Sequence, residues 1–160
     1  MIPEEASKLI GKADPPGIFE VEKGAIKKYA DAVGDRNPLF WDEEFARSTR
    51  YGSLIAPPGY FGWPTKWTEP MPLISPGGMM EVLTAIMTKD GHPFILDGGG
   101  EVEYKSPIRP GDVIAASNKL LDIREKEAQG AKMYFCVFEN SFINQNGVLV
   151  IRALQTIIFR

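Results

Sequence analysis

The chain has 160 residues, 44% apolar and 24% charged, close to the averages of folded globular proteins, so neither disorder nor a second domain is called for. A net charge of -3 and a pI of about 5.3, with no basic stripe and no interleaved basic and aromatic run, argue against a nucleic-acid partner. A single cysteine, Cys136, and a single histidine, His92, exclude an intrachain disulfide and the usual zinc cages, so neither a metal nor another cofactor is implied.

Residues 3–11 have the spacing of a short amphipathic helix, with Ala6, Leu9 and Ile10 on one side, before the Asp14-Pro15-Pro16-Gly17 break. The N-terminal segment lacks a signal-peptide pattern and no stretch approaches the roughly 20 apolar residues of a membrane span, so a cytoplasmic protein is expected. Ile18–Val21 reads as a short strand. Ile26, Tyr29, Ala30 and Val33 then fall on one helical stripe that Gly34 ends. Asp35, Arg36 and Asn37 follow as a polar turn, and Pro38 biases Asn37 away from helical geometry. The outcome is a carboxylate and an amide beside an apolar face. Asp42, Glu43 and Glu44 open a second short helix.

Beyond the turn at Tyr51-Gly52, a buried helix is expected to start near Pro57 or Pro58 and to carry Tyr60, Phe61, Trp63 and Trp67, with a break or kink at Pro64. The segment from Thr68 to Gly78 holds three prolines and two glycines and is expected to be irregular. Met79, Met80, Val82, Leu83, Ile86 and Met87 repeat at helical spacing, which suits either a core-packing helix or a flexible cover over a substrate tunnel. The last 60 residues change period. Glu101–Tyr104 alternates, Arg109-Pro110-Gly111-Asp112 has the form of a type II turn, and Asp112–Ile123 reads as a longer strand. A polar break at 125–130 precedes a strand over 133–143, and Asn144-Gln145-Asn146-Gly147 marks a hairpin before Val148–Phe159. Four strands in a meander, one strand near the N-terminus and one central helix make an α+β fold, a curled antiparallel sheet wrapped around a helix.

Tyr29, Gly34, Asp35, Asn37, Pro38, Leu39 and Asp42 together resemble the signature of the MaoC-like dehydratases and (R)-specific enoyl-CoA hydratases of the hot-dog fold. That signature runs Tyr-(small)-x-x-x-Gly-Asp-x-Asn-Pro-(Ile/Leu)-His-x-Asp. Asp97-Gly98-Gly99 to Glu103, with Ser106–Val113, resembles the family's second recurring segment, and the likeness extends from about residue 18 to the C-terminus. The resemblance implies a single hot-dog domain over 1–160, with 1–16 as an N-terminal extension and 68–97 as a loop and helix covering the pocket. One position departs from the signature: Phe40 stands where the family places its catalytic histidine, and it can neither take nor give a proton. The Pro57-Pro58 and Asp97-Gly98-Gly99 segments most resemble the N-terminal halves of double hot-dog members, in which catalytic residues are often lost while the partner half keeps them.

Hydrating a 2-enoyl thioester needs a water held by a base, a proton for C2, and donors aimed at the thioester oxygen. The resemblance makes Asp35 and Asn37 the candidate catalytic residues, and Pro58, Gly59, Tyr60, Phe61 and Trp63 the candidate substrate-binding residues. Backbone amides near Pro58, Gly59 and Tyr60 are the expected oxyanion donors. His92 lies more than fifty residues from Phe40 and replaces it only if its loop folds back over the site. The expected partners are an acyl-CoA or acyl-carrier thioester and a second hot-dog chain, in a homodimer or a hetero-oligomer. Three roles follow: a subunit of a hydratase or dehydratase whose partner completes the Asp/His dyad, a stand-alone homodimeric hydratase using Asp35, or a non-enzymatic acyl-thioester binding domain.

Overall fold

In the computed structural model, which describes residues 1–60, 77–128 and 130–160, five antiparallel strands form one sheet in the order β1-β3-β4-β5-β2. The strands are β1 (Gly17–Glu20), β2 (Ile95–Tyr104), β3 (Val113–Ala128), β4 (Ala131–Asn144) and β5 (Leu149–Phe159). Four helices accompany them among the described residues: α1 (Glu4–Ser7), α2 (Lys23–Ala32), α3 (Glu43–Ser48) and α4 (Met79–Lys89). None of these is long and apolar enough to cross a membrane.

The α+β arrangement expected from the sequence is present, with one correction to its connectivity. Strands β3, β4 and β5 form a meander, but β2 pairs with β5, from Ile95 opposite Phe159 to Tyr104 opposite Ile151, and β1 takes the other edge beside β3. The expected polar break at 125–130 is mostly strand as well. Glu125, Lys126 and Glu127 stay paired with Tyr134, Met133 and Lys132, so the polarity marks an exposed hairpin end and not the end of β3. At the next hairpin the Asn144 side chain accepts from the Asn146 and Val148 amides, and Gly147 takes φ +75°.

Alternation along β4 sets the layers. Tyr134, Cys136, Phe138, Asn140 and Phe142 are buried on one face, while the residues between them are half-buried on the other. The buried face carries two apolar clusters. Phe19, Ile26, Ala30, Phe40, Tyr60, Phe142 and Ile151 belong to the first, and Ala6, Leu83, Met87, Leu120, Tyr134 and Phe138 to the second. Asn118 and Asn140, opposite each other and buried, lie in the rows between them.

Helix α2 buries Ala25, Ile26 and Ala30 in the first cluster. Val33, past the last turn, is exposed, as is Ile10 near α1, so both fall off their expected stripes. Helix α4 packs Met79, Leu83 and Met87 into the second cluster with Ala6. The methionine segment is therefore a core-packing helix. No helix starts at Pro57 or Pro58: the Tyr60 amide donates to the Pro57 carbonyl at 3.2 Å and Gly59 has φ +85°, which closes a turn that a right-handed helix cannot contain. Phe61, Trp63 and Trp67, with most of the 68–78 segment, lie outside the described residues.

Candidate active site

The loop after α2 is built by its own side chains. Gly34, at φ +71°, ends the helix, and the Asp35 amide donates back to the Ala30 carbonyl at 2.9 Å. The Asp35 carboxylate accepts from the Asn37 amide at 3.0 Å, and the Asn37 side chain accepts from the Leu39 amide at 3.1 Å, capping the 3-10 turn Pro38–Phe40. The Trp41 indole donates to the Asp35 carbonyl at 2.8 Å, while Arg36 pairs with Asp31 and lies 5.4 Å from the centre of the Trp41 ring. The loop points Phe40 inward, 4% exposed.

Phe40 forms part of the wall of an open cavity of about 470 Å³, together with Leu39, Ile55, Ala56, Pro57, Pro58, Tyr60, Ile108 and Ile151. This is an ordinary size for a small-molecule site, and the wall is mainly apolar. Arg50, Tyr51, Tyr104, Lys105 and Ser106 are the polar residues of its lining. Of the candidate site residues, Pro58 and Tyr60 line the cavity, whereas Asp35 and Asn37 are not among the described lining residues.

The expected oxyanion donors have partners inside the chain. Pro58 has no N–H, the Tyr60 amide goes to Pro57, and the Gly59 amide donates to the Tyr104 hydroxyl at 2.7 Å. Gly59 is also confined by Tyr29, whose hydroxyl lies where a Cβ would be. Burial, and then the nearby Tyr104, raise the Tyr29 phenol above its ordinary pKa, and its ring meets Tyr60 edge to face at 5.7 Å. Sequence reasoning missed Tyr104, Arg50, Tyr51 and Lys105. Tyr104 was detectable as the residue sharing a face with Val102 in the alternation of Glu101–Tyr104. Arg50 and Tyr51 carried no such signal, because a long-range anchor holds them: the Arg109 guanidinium donates to the Tyr51 carbonyl and to the Ser53 hydroxyl.

His92 belongs to the other end of the sheet. Its ring meets Tyr134 edge to face at 4.8 Å, and its Nδ1 lies 3.2 Å from an Asp90 carboxylate oxygen, close enough for an ion pair but without hydrogen-bond geometry. Tyr134 is eight residues along β4 from Phe142, which belongs with Phe40 to the first cluster, a separation of about 26 Å between Tyr134 and Phe142. His92 does not take the place of the missing histidine within one chain. No group of residues suited to holding a metal occurs among the described residues.

Cys136 is fully buried, and burial followed by the nearby Asp122 charge pushes its thiol up to about 12. We expect iodoacetamide at about pH 8 to leave the native chain unlabelled and to label the denatured chain. An unfolded thiol ionises near about 8.5, so the unfolded chain loses a proton that the folded chain keeps. The thiol's contribution to stability is thus complete below about pH 8.5 and is lost as pH rises toward 12. Denaturation curves across that range, compared with Cys136→Ala, measure it.

Five antiparallel strands in this order and the overall shape define a hot-dog domain, a fold shared with a MaoC-like dehydratase of Rhodospirillum rubrum at a TM-score of 0.63 and 24% identity, over 94% of this chain and 92% of that one. The chain belongs to the family described as FAS1-like, dehydratase domain region, whose profile matches residues 8–153. A probable enoyl-CoA hydratase alpha subunit of Thermomonospora curvata is 28% identical over 128 residues, 78% of this chain and 40% of that protein. The chain therefore spans less than half the length of that relative. Among solved structures, the ChsH1-ChsH2 complex of Mycobacterium tuberculosis matches with a TM-score of 0.82 at 19% identity, over 97% of this chain and 93% of that one. The C-terminally truncated HadBC (3R-hydroxyacyl-ACP dehydratase) complex of the same organism matches with a TM-score of 0.64 at 19% identity, over 94% and 96%. At these identities the structural likeness carries the fold.

Proposed function

We propose that this chain is the acyl-thioester-binding subunit of an enoyl-CoA hydratase or 3-hydroxyacyl-thioester dehydratase, working beside a second hot-dog chain that brings a complete Asp/His dyad. The observation that carries this reading is a formed, mainly apolar cavity whose wall includes the buried Phe40, the residue that the resemblance sets against the family's histidine. A phenyl ring holds an acyl chain but moves no proton. Asp35 and Asn37, both engaged by backbone amides, shape the loop that sets Phe40 into the wall. Arg50, exposed at the cavity with no carboxylate partner among the described residues, is placed to meet the phosphates of a CoA or acyl-carrier arm.

The company of relatives supports a partner chain, since one is named as an alpha subunit and two structural neighbours are complexes. The exposed edge strand β2, with Ile95, Leu96 and Val102 uncovered and the exposed Phe94 just before it, offers it a surface. Hydration of a short and a bulky trans-2-enoyl-CoA tests the proposal, measured for the chain alone and for the chain co-expressed with a hot-dog partner carrying an intact Gly-Asp-x-Asn-Pro-x-His. Turnover is expected only in the second case. Turnover by the chain alone, abolished by Asp35→Asn, establishes instead a homodimeric hydratase. Thioester binding without turnover in any pairing establishes a binding domain.

A further inference from the structure

The Gly59 amide is the one backbone donor of the Pro58–Tyr60 turn that ends on a side chain able to leave. Its acceptor, the Tyr104 hydroxyl at 2.7 Å, belongs to a residue that is 49% exposed and lines the cavity. The Tyr104 backbone is held at the end of β2 by its pairing with Ile151, so only the side chain needs to rotate. Such rotamer changes at exposed positions are fast. The turn that presents this amide is closed by the Tyr60 amide on the Pro57 carbonyl, and its φ of +85° with the Tyr29 hydroxyl where a Cβ would be keeps position 59 a glycine. When Tyr104 swings away, the N–H remains aimed where the phenol oxygen was.

We propose that the Tyr104 hydroxyl is a placeholder for the carbonyl oxygen of an acyl ligand, which displaces it from the Gly59 amide when the acyl chain enters the cavity. A neutral, uncharged acceptor now fills the position, and a thioester carbonyl matches it in charge and in hydrogen-bond distance. The apolar wall formed by Phe40, Tyr60, Ile108 and Ile151 takes the chain that follows the carbonyl. The resting contact sets a threshold: ligands without a carbonyl gain nothing by displacing the tyrosine.

This inference rests on the acyl-thioester reading, and the test separates the two. Binding of a saturated acyl-CoA and of its S-alkyl thioether analogue of equal length is measured by calorimetry on the full chain and on Tyr104→Phe, which keeps the ring and removes the acceptor. Removal of the competing hydroxyl is expected to tighten thioester binding about two- to tenfold and to leave the thioether unchanged. In parallel, the Gly59 amide resonance is expected to shift on thioester addition and not on thioether addition. Equal effects on both ligands, no effect on either, or weaker thioester binding by the variant overturns the placeholder role while leaving the acyl pocket standing. Failure of both ligands to bind either protein removes the pocket reading and the placeholder together.

Discussion

Replacing Phe138 by alanine is expected to lower the free energy of unfolding by about 3–5 kcal/mol, whereas the same change at Phe135 costs about 1 kcal/mol or less. The residues are three apart on one strand, but they face opposite ways. Phe138, 2% exposed, lies between Leu120 of β3 and Gln155 of β5 in the second cluster, on the middle strand of the sheet. A central strand paired on both sides has little freedom to collapse into the cavity that the deletion leaves, which is why the upper part of the range applies. Phe135 lies on the half-buried face between Arg124 and Ile158, with the Lys126 ammonium 4.8 Å from its ring centre. A domain of this size has a total stability of about 5–15 kcal/mol, so the Phe138 change takes a large share of it. Urea denaturation of both variants measures the contrast. Equal losses, or the larger loss at Phe135, contradict the assignment of faces, because a one-residue slip in register exchanges the two.

That contrast was legible from β4's alternation alone, and so were α2, the Gly34 stop and the Asn144–Gly147 hairpin, since each is written within a few neighbouring residues. The early part of β2 was not. Asp97-Gly98-Gly99-Gly100 has poor strand propensity, and its glycines are explained only by the partner strand. A Cβ at Gly98 would meet the Thr156 side chain at 2.9 Å, one at Gly100 would meet the Leu154 carbonyl at 2.7 Å, and Gly99 takes φ +86° within the register shift between Asp97 and Gly100. Pairing of β2 with β5, 47 to 64 residues on, leaves no local mark. The same limit applies at the site. The residues after α2 foretold a turn there, but the engagement of the Gly59 amide by Tyr104, 45 residues away, arises only when the sheet closes. Val33 and Ile10 show the opposite failure, apolar periodicity running past the end of the buried surface.

In an assembly with a partner that carries the complete motif, replacing the partner's histidine by alanine is expected to lower kcat about 10²–10⁴-fold, the usual worth of a positioned proton carrier. Asp35→Asn in this chain is expected to change kcat/KM by less than about threefold. The pair of variants separates charge from shape. An asparagine at 35 keeps the oxygen that accepts from the Asn37 amide, so the turn and the inward setting of Phe40 survive while the carboxylate charge is removed. If the carboxylate served as the base, its loss alone would cost orders of magnitude, because the amide cannot accept the proton. If it serves the turn, the rate barely moves. The described geometry favours the turn: one carboxylate oxygen is committed to the Asn37 amide, Phe40 offers no second proton carrier, and His92 packs on Tyr134 of the second cluster, not on the first cluster that holds Phe40. Steady-state kinetics on the two variant complexes, each checked for intact assembly, decide between the loops. A large loss with Asp35→Asn and a small one with the partner's histidine would move the chemistry into this chain and end the division of labour proposed for the pair.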